Sequence, residues 1–233
     1  MKRADWDRLA DDFETETCDI TREESSDRMK RFVALARPAT KNPILVDLGC
    51  GVGTFIRRFG DHFGSVVGVE FAPRIIARAK RNCADVKNVT WLNMDIPRAT
   101  RTIGRRADLT VCMNVITSDN RARRAALWSS VANITRKRGF ALVVVPSMES
   151  ERLVADMMKG NAGKPRPGGL VKRDDAWQKH YERGEVERIF VELGFSVTRI
   201  GRAHYPWSIE GLRETKARAA KRPWDWMCLA RRA

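Results

Sequence analysis

The chain has 233 residues, of which 43% are hydrophobic, and this is enough for one domain with a sizeable core. Its 44 Lys and Arg against 29 Asp and Glu give a net charge of +15, which favours an anionic partner: nucleic acid, a phosphorylated or carboxylated small molecule, or an acidic membrane surface. Because the arginines are scattered along the chain, a generally Arg-rich surface without such a partner is the alternative. With 31% charged residues and FALVVVP as its longest apolar run, the chain is expected to have no membrane association.

The cysteines indicate a reduced protein. There are five, no two of them form a CxxC pair, and Cys50 and Cys112 lie in apolar runs that read as buried strands or strand ends. This pattern favours neither a disulfide framework nor a zinc site. The first residues, MKRADWDRLADDFE, are too charged for a signal peptide. We therefore expect a cytoplasmic protein without a metal.

Two amphipathic helices are predicted before the first strand. Apolar residues of the first recur at i, i+3, i+4 and i+7, which places them on one helix face. They are Trp6, Leu9, Ala10 and Phe13. The second helix has Met29, Phe32, Val33 and Ala36 on one face, and Pro38 is expected to end it.

Strands and helices then alternate along the chain. The predicted strands are ILVDLG (44–49), SVVGVEF (65–71), NVTWLNMDI (88–96), ADLTVCMNVI (107–116) and GFALVVVPS (139–147). The predicted helices are TFIRRFGDHFG, a segment that begins at Pro73, and RARRAALWSSVANI. Continuous apolar strands separated by helices are typical of an α/β fold, in which a doubly wound, mostly parallel sheet has helices on both faces.

The pattern changes after Pro146. SMESERLVADMMKG reads as a helix, and NAGKPRPGGLVKRDD as a loop. Segment 148–183 is predicted to be a lid or an acceptor-binding insertion, and a plain surface excursion is the alternative. Residues 184–233 supply a last helix, GEVERIFVELG, and two strands, FSVTRIGR and WDWMCLARR.

Small or polar residues follow four of the predicted strands. The glycine-rich stretch 49–53, Glu70, Asp95 and Asn114 all lie at or near strand ends. Because ligands of open α/β sheets bind outside the carboxyl ends of the strands, these residues predict a site at that edge.

The glycines of VDLGCGVGTF could face a dinucleotide, a triphosphate or an adenosyl sulfonium. The triphosphate motif GxxxxGK[ST] is absent, and Gly49, Gly51 and Gly53 have the spacing GxGxG instead of the dinucleotide pattern GxGxxG. Asp47 inside the motif would repel a pyrophosphate but would attract a ligand that carries a sulfonium and an ammonium.

At this point the sequence resembles the class I S-adenosylmethionine-dependent methyltransferases. VDLGCGVGTF resembles their first motif, VVGVEFAP the second, WLNMDI the third, ADLTVCMNVI the fourth and RGFALVVVPS the fifth. The resemblance covers residues 40–147 and returns in GEVERIFVELGFSVTRI. It implies one methyltransferase domain over 1–233, with a seven-stranded sheet, a final antiparallel strand, a cofactor-binding core at 40–147 and an N-terminal helical lid at 1–38.

The resemblance also implies roles for individual residues. Gly49, Cys50, Gly51 and Gly53 would approach the methionine part of S-adenosylmethionine, and Asp47 would act near its amino group. Glu70 would accept both ribose hydroxyls, since a carboxylate has two oxygens for them. Phe71 would stack beside the adenine, Asp95 would accept its amine, and the Ile96 backbone would read the ring. Asn114 would lie near the methyl group, and Phe13 would close over the cofactor or simply pack in the core.

Four residues are candidates for holding or deprotonating the acceptor. His180 and Tyr181 precede the penultimate helix, and His204 and Tyr205 follow the sixth strand. A base is needed only if the nucleophile must lose a proton. Packing or helix capping is the alternative for each of the four.

Three functions compete at this stage. The first is methyl transfer to an O, N or C atom of a small-molecule acceptor, anionic ones included, with S-adenosylhomocysteine as the product. The second is methylation of RNA or another nucleic acid, which the charge favours, although no DPPY-type motif follows the fourth strand, where the sequence is MNVI. The third is a non-catalytic cofactor-binding protein. The sequence does not determine the oligomeric state.

Overall fold

The computed structural model describes residues 3–13, 17–24, 27–36, 40–158, 165–173 and 176–233. The helix end predicted at Pro38 and part of the loop predicted after residue 160 lie outside these ranges.

Seven strands form one sheet in the order β3-β2-β1-β4-β5-β9-β8. They are β1 Ile44–Leu48, β2 Ser65–Glu70, β3 Val89–Asn93, β4 Ala107–Met113, β5 Thr135–Pro146, β8 Phe195–His204 and β9 Trp224–Arg232. Strands β1 to β5 are parallel, and β9 pairs antiparallel with both β5 and β8. The doubly wound, mostly parallel sheet with a final antiparallel strand is therefore confirmed.

Within the described ranges, helices and two short 3₁₀ turns surround the sheet. The helices are α1 Arg3–Arg8, α2 Ile20–Glu23, α3 Arg28–Leu35, α4 Thr54–Phe59, α5 Pro73–Asn82, α6 Ile96–Ile103, α7 Arg121–Ile134, α8 Met148–Met157, α9 Arg183–Glu192 and α10 Lys216–Ala219; the 3₁₀ turns are Gly60–His62 and Trp207–Glu210. Side chains fix several starts, because Asp95, Asn120 and Ser147 each accept a hydrogen bond from a backbone amide of the helix that follows.

The sheet carries an apolar layer on each face. On one face Leu45, Val111 and Met227 pack with Phe32 and Ile56. On the other face Val46, Val143, Trp128 and Phe190 pack together, and the ring of Trp128 meets that of Phe190 edge to face at 5.4 Å. Alternating strand residues thus supply both layers, which is why β4 and β5 read as continuous apolar runs.

Local details differ from the predictions. Helix α6 was not predicted, although Asp95 followed by Pro97 is a helix-start signal. The first helix ends at Arg8, earlier than its apolar spacing indicated. Part of the predicted loop forms an antiparallel hairpin of β6 Leu170–Arg173 and β7 Ala176–Lys179. Within the described ranges, no helix is long and apolar enough to cross a membrane.

Candidate active site

The glycine loop between β1 and α4 has a conformation that side chains tolerate poorly. Gly49, Gly51 and Gly53 have φ angles of +76°, +52° and +86°. A Cβ atom on Gly49 would lie 2.4 Å from Cγ2 of Val115, and one on Gly53 would lie 2.7 Å from Sγ of Cys83. The amides of Gly49 and Cys50 both donate to the carbonyl of Val69, at 2.8 and 3.0 Å. The loop backbone is therefore held close to β2 and to the turn after β4.

The N-terminal segment lies over this loop. A Cβ atom on Gly51 would be 3.1 Å from Cζ of Phe13, and Phe13 is buried. Helix α5 anchors the segment, since the amide of Arg74 donates to Oδ1 of Asp7 at 2.9 Å and the guanidinium of Arg78 donates to the carbonyl of Ala10 at 2.6 Å. Phe13 is thus placed beside the glycine loop, where a lid residue is expected.

Asp47 is a buried acid beneath the loop. Its side chain is 2% exposed, and Oδ2 has no hydrogen-bond partner in the described part of the chain. Burial raises the pKa of Asp47 to about 8, and the carboxylates of Asp19 and Glu70 act in the same direction. A cationic ligand group at this point would favour the ionised form of Asp47 and could donate to Oδ2.

Glu70 ends β2 and is also buried. Its Oε1 accepts a hydrogen bond from the amide of Ala72 at 2.9 Å. Burial raises the pKa of Glu70, while hydrogen bonds from the amides of Ala72, Phe71 and Gly51 oppose the increase. The carboxylate therefore lies within reach of the glycine loop, as a ribose-binding residue requires.

A pocket of about 280 Å³ continues from β2 to β3. It is lined by Phe71, Asn93, Met94, Asp95 and Arg98. The ring of Phe71 and the polar atoms of the β3 end give this pocket the character of a site for a flat heterocycle.

Asp95 and Ile96 are already engaged within the protein. Oδ2 of Asp95 accepts from Nη1 of Arg123 at 2.7 Å, and its Oδ1 pairs with Nη2 of the same guanidinium. The amide of Ile96 donates to Oδ1 of Asp95 at 3.1 Å. If these two residues contact the adenine, the same atoms must also keep or give up the hydrogen bonds that they form within the protein. Sequence reasoning missed Arg123, because nothing in the run RARR distinguishes one arginine from the others.

Asn114 follows β4 and is paired with an acid that the sequence analysis did not identify. Asn114 has a left-handed φ of 54°, and its Nδ2 donates to Oδ2 of Asp225 at 2.7 Å. Burial raises the pKa of Asp225 to about 7, although the hydrogen bond from Asn114 opposes the increase. The sequence WDWMCLA does contain a signal for a functional acid, because one aspartate interrupts an otherwise apolar strand.

The two tyrosines predicted as catalytic are hydrogen-bonded inside the protein. Tyr181 is 1% exposed, and its hydroxyl donates to the carbonyl of Ile116 at 2.8 Å. The hydroxyl of Tyr205 donates to Oε1 of Glu210 at 2.8 Å, and burial raises the pKa of both tyrosines. Because Tyr181 anchors the turn after β4, we assign it a structural role.

The two histidines do not form acid–base pairs with their neighbouring tyrosines. Burial lowers the pKa of His180 to about 3, and its Nδ1 lies 3.8 Å from Oε2 of Glu151. Nδ1 of His204 lies 3.2 Å from the carbonyl of Arg222, and burial lowers its pKa as well. Burial therefore disfavours the protonated form of both rings.

The comparisons with known proteins agree with this geometry. Residues 45–139 match the family model described as a methyltransferase domain. Over these residues the chain is therefore similar to methyltransferase domains, and the seven-stranded sheet of the structure agrees with that similarity. No protein in the curated set matches the sequence.

Solved structures share the fold at low sequence identity. An S-adenosylmethionine-dependent methyltransferase from Mesorhizobium loti is 17% identical over 89% of this chain and 99% of its own, with a TM-score of 0.61. The 1,6-didemethyltoxoflavin-N1-methyltransferase of Burkholderia thailandensis is 14% identical over 99% and 87%, with a TM-score of 0.67. The magnesium protoporphyrin IX methyltransferase of Synechocystis PCC 6803, with bound S-adenosylhomocysteine, is 14% identical over 99% and 94%, with a TM-score of 0.60.

Proposed function

We propose that the protein transfers the methyl group of S-adenosylmethionine to a small-molecule acceptor enclosed beneath segment 148–183. The observation that carries this proposal is the position of the segment, whose described part lies against the turns at the carboxyl ends of β4 and β5. The proposed division of the domain is a lid at 1–38, a cofactor-binding core at 40–147, a cover at 148–183 and closing strands at 184–233. The cysteine pattern supports a cytoplasmic location.

Backbone hydrogen bonds attach the cover to the sheet edge. The amide of Lys179 donates to the carbonyl of Thr117 at 2.8 Å, and the amide of Tyr181 donates to the carbonyl of Pro146 at 2.8 Å. Ser118 and Gln178 form an isolated bridge between the turn after β4 and strand β7. Hairpin β6–β7 therefore lies beside the turn that contains Asn114.

An ion-pair network attaches the same hairpin to the C-terminal part of the chain. Nη1 of Arg173 lies 2.9 Å from Oε2 of Glu210, and its Nη2 pairs with Glu151. The side chains of Glu151 and Glu210 are 3% and 6% exposed. Buried charges of this kind are stable only when paired, so Arg173 holds helix α8, the hairpin and the last 3₁₀ turn together.

The residues around the glycine loop fit the cofactor. The left-handed glycines leave the backbone accessible to its methionine part, and the unpartnered Oδ2 of Asp47 suits its amino group. Glu70 is available for the ribose, and the pocket beside Phe71 for the adenine. When bound, the cofactor supplies the electrophilic methyl group. The protein then needs to align an acceptor with that group and exclude water.

Charge at the sheet edge favours a small acceptor over nucleic acid. The buried carboxylates of Asp47, Glu70, Asp225 and Glu210 lie at or near this edge. These acids supply no contact to phosphate, which requires cationic groups such as Lys and Arg, whereas a small neutral or cationic molecule could donate hydrogen bonds to them. The toxoflavin and protoporphyrin methyltransferases, which have the same fold, also act on small molecules.

A labelling experiment tests the proposal. The protein is incubated with S-adenosylmethionine labelled in the methyl group and with a cell extract separated into metabolites, RNA and protein. We expect label in the metabolite fraction, and far less with Glu70→Gln, which weakens the ribose site. Nuclease-sensitive label in RNA that persists at physiological salt would contradict the small-molecule assignment. Failure of calorimetry to detect any S-adenosylhomocysteine binding would contradict the whole proposal.

A further inference from the structure

We propose that Asn114 and Asp225 form the subsite that receives the nucleophile of the acceptor, and that this nucleophile is an amine nitrogen. The inference rests on the proposed function and specifies the acceptor class. Neither the family match nor the motifs of the sequence point to Asp225, which lies in the last strand, outside residues 45–139.

Packing places the subsite beside the glycine loop. Val115, next to Asn114, is the residue that a Cβ on Gly49 would contact at 2.4 Å. Asp225 lies opposite Pro146 at the end of β5, and the amide of Asn114 donates to the carbonyl of Val144 at 2.9 Å. The end of β5 thus lies between the two residues, which meet through the hydrogen bond from Nδ2 of Asn114.

The subsite can accept more hydrogen bonds than the described residues donate to it. Oδ1 of Asn114 is buried and has no partner among the described residues. Asp225 is 4% exposed, and in the same part of the chain its side-chain oxygens accept only the bond from Asn114. A buried acceptor without a donor costs free energy, so a ligand that donates there is favoured.

The chemistry of these acceptors selects an amine. A hydroxyl has one proton, which can satisfy either Oδ1 of Asn114 or Asp225. An ammonium group has three protons, so it can donate hydrogen bonds to both residues at once. An anionic acceptor would be repelled by the ionised carboxylate of Asp225. The acid at the sheet edge therefore matches a cationic amine, although the net charge of the chain is +15.

Asp225 also provides the proton transfer that an amine requires. The acceptor ammonium gives one proton to the Asp225 carboxylate and becomes a neutral amine. The nitrogen lone pair then forms the bond to the methyl carbon as the carbon–sulfur bond breaks, and that electron pair remains on sulfur. Positive charge moves from sulfur to nitrogen, and the proton on Asp225 leaves to solvent. Asn114 fixes the orientation of the carboxylate through its Nδ2.

Sinefungin tests the subsite without the natural acceptor. In this cofactor analogue a carbon that bears an amine replaces the methylated sulfur, so its ammonium lies where the methyl group would lie. By calorimetry at pH 8, we expect sinefungin to bind about tenfold more tightly than S-adenosylhomocysteine, as a charge-assisted hydrogen bond provides. In Asp225→Asn this advantage should disappear, while the affinity for S-adenosylhomocysteine should stay within about twofold, since Asn keeps the shape of the side chain.

Two further variants make the result specific. Asn114→Gly suits the left-handed backbone and should remove part of the advantage. Asp108→Asn removes another buried carboxylate, at the start of β4 and far from the loop, and should keep the whole advantage. Mass spectrometry of the labelled metabolite should show an N-methyl product.

The possible failures are distinct. If the wild-type protein binds no S-adenosylhomocysteine, the proposed function fails. If it binds S-adenosylhomocysteine but shows no sinefungin advantage, or keeps that advantage in Asp225→Asn, the assignment of the subsite is overturned. A base-labile methyl ester or an O-methyl ether as the product would overturn the amine assignment.

Discussion

The cofactor side and the acceptor side that we propose for this sheet edge are built in different ways. On the cofactor side, the turns after β1, β2 and β3 contribute the glycine loop, Glu70 and the pocket beside Phe71. Each of these is a short stretch at the end of its own strand. On the acceptor side, the decisive contacts join residues far apart in the chain, such as Asn114 with Asp225 and Arg173 with Glu210. Motifs therefore identify the first side, and only packing assembles the second.

This difference predicts that removing a single charge lowers the stability of the protein more on the acceptor side than on the cofactor side. Arg173→Met would leave Glu151 and Glu210 buried without a cation, and we expect the free energy of unfolding to fall by about 3–5 kcal/mol. Urea denaturation measures it. The matched control is Arg152→Met, whose pair with Glu182 is largely exposed, and there the loss should stay below about 1 kcal/mol. Equal losses in the two variants would contradict the bridging role of Arg173.

The cofactor side should instead lose binding before it loses stability. Glu70→Ala is expected to weaken S-adenosylhomocysteine binding by roughly 2–4 kcal/mol, because charge-assisted ribose hydrogen bonds disappear. Calorimetry gives the affinity, and thermal unfolding without ligand gives the stability. Exposed Glu192→Ala serves as the control and should change neither quantity. Unchanged affinity in Glu70→Ala would show that β2 does not deliver the ribose-binding residue.

Two Gly→Ala variants separate the effect of backbone strain on stability from the effect of close packing at the glycine loop. Gly49→Ala combines a left-handed φ with a contact of 2.4 Å, whereas Gly211→Ala has a left-handed φ of +68° and nothing within 4 Å. In both variants an alanine must adopt a left-handed backbone, which lowers the free energy of unfolding. In Gly49→Ala we expect a further decrease of about 1–3 kcal/mol, because the added methyl group also overlaps Val115. Chemical denaturation of the two variants gives this difference. Similar losses would mean that Val115 moves away without cost.

The last comparison concerns the pH dependence of stability that comes from Asp225. Since burial raises its pKa to about 7, the folded state keeps a proton that the unfolded state releases at lower pH. Stability should therefore fall as the pH rises from the usual Asp range to about 7, by at most about 1.4 kcal/mol per pH unit. The groups that act on Asp225 or are affected by it are Asn114, Glu210, Arg173, Cys18 and Tyr205.

Comparison with Asp225→Asn isolates this contribution. Other groups have the opposite sign, since the pKa of His180 is lowered and a neutral buried histidine gains stability as the pH rises. Urea denaturation of both proteins at pH 5, 6 and 7 should show that the wild type loses more stability over this interval than Asp225→Asn. If the free energy of unfolding of the two proteins changed equally with pH, the pKa of Asp225 in the folded protein would lie in its ordinary range.

The sequence by itself determined the α/β class, the seven strands and the residues that follow β1 and β2. Apolar runs, turn glycines and strand-end acids are local signals, and in a parallel sheet all carboxyl ends meet at one edge. It did not determine which polar residues would be free to act there. Tertiary contacts engaged Tyr181 with Ile116 and Asp95 with Arg123, and they brought Asp225 to Asn114. Hydrogen bonds between distant strands and loops depend on how the elements pack, and no local pattern in the sequence records that packing.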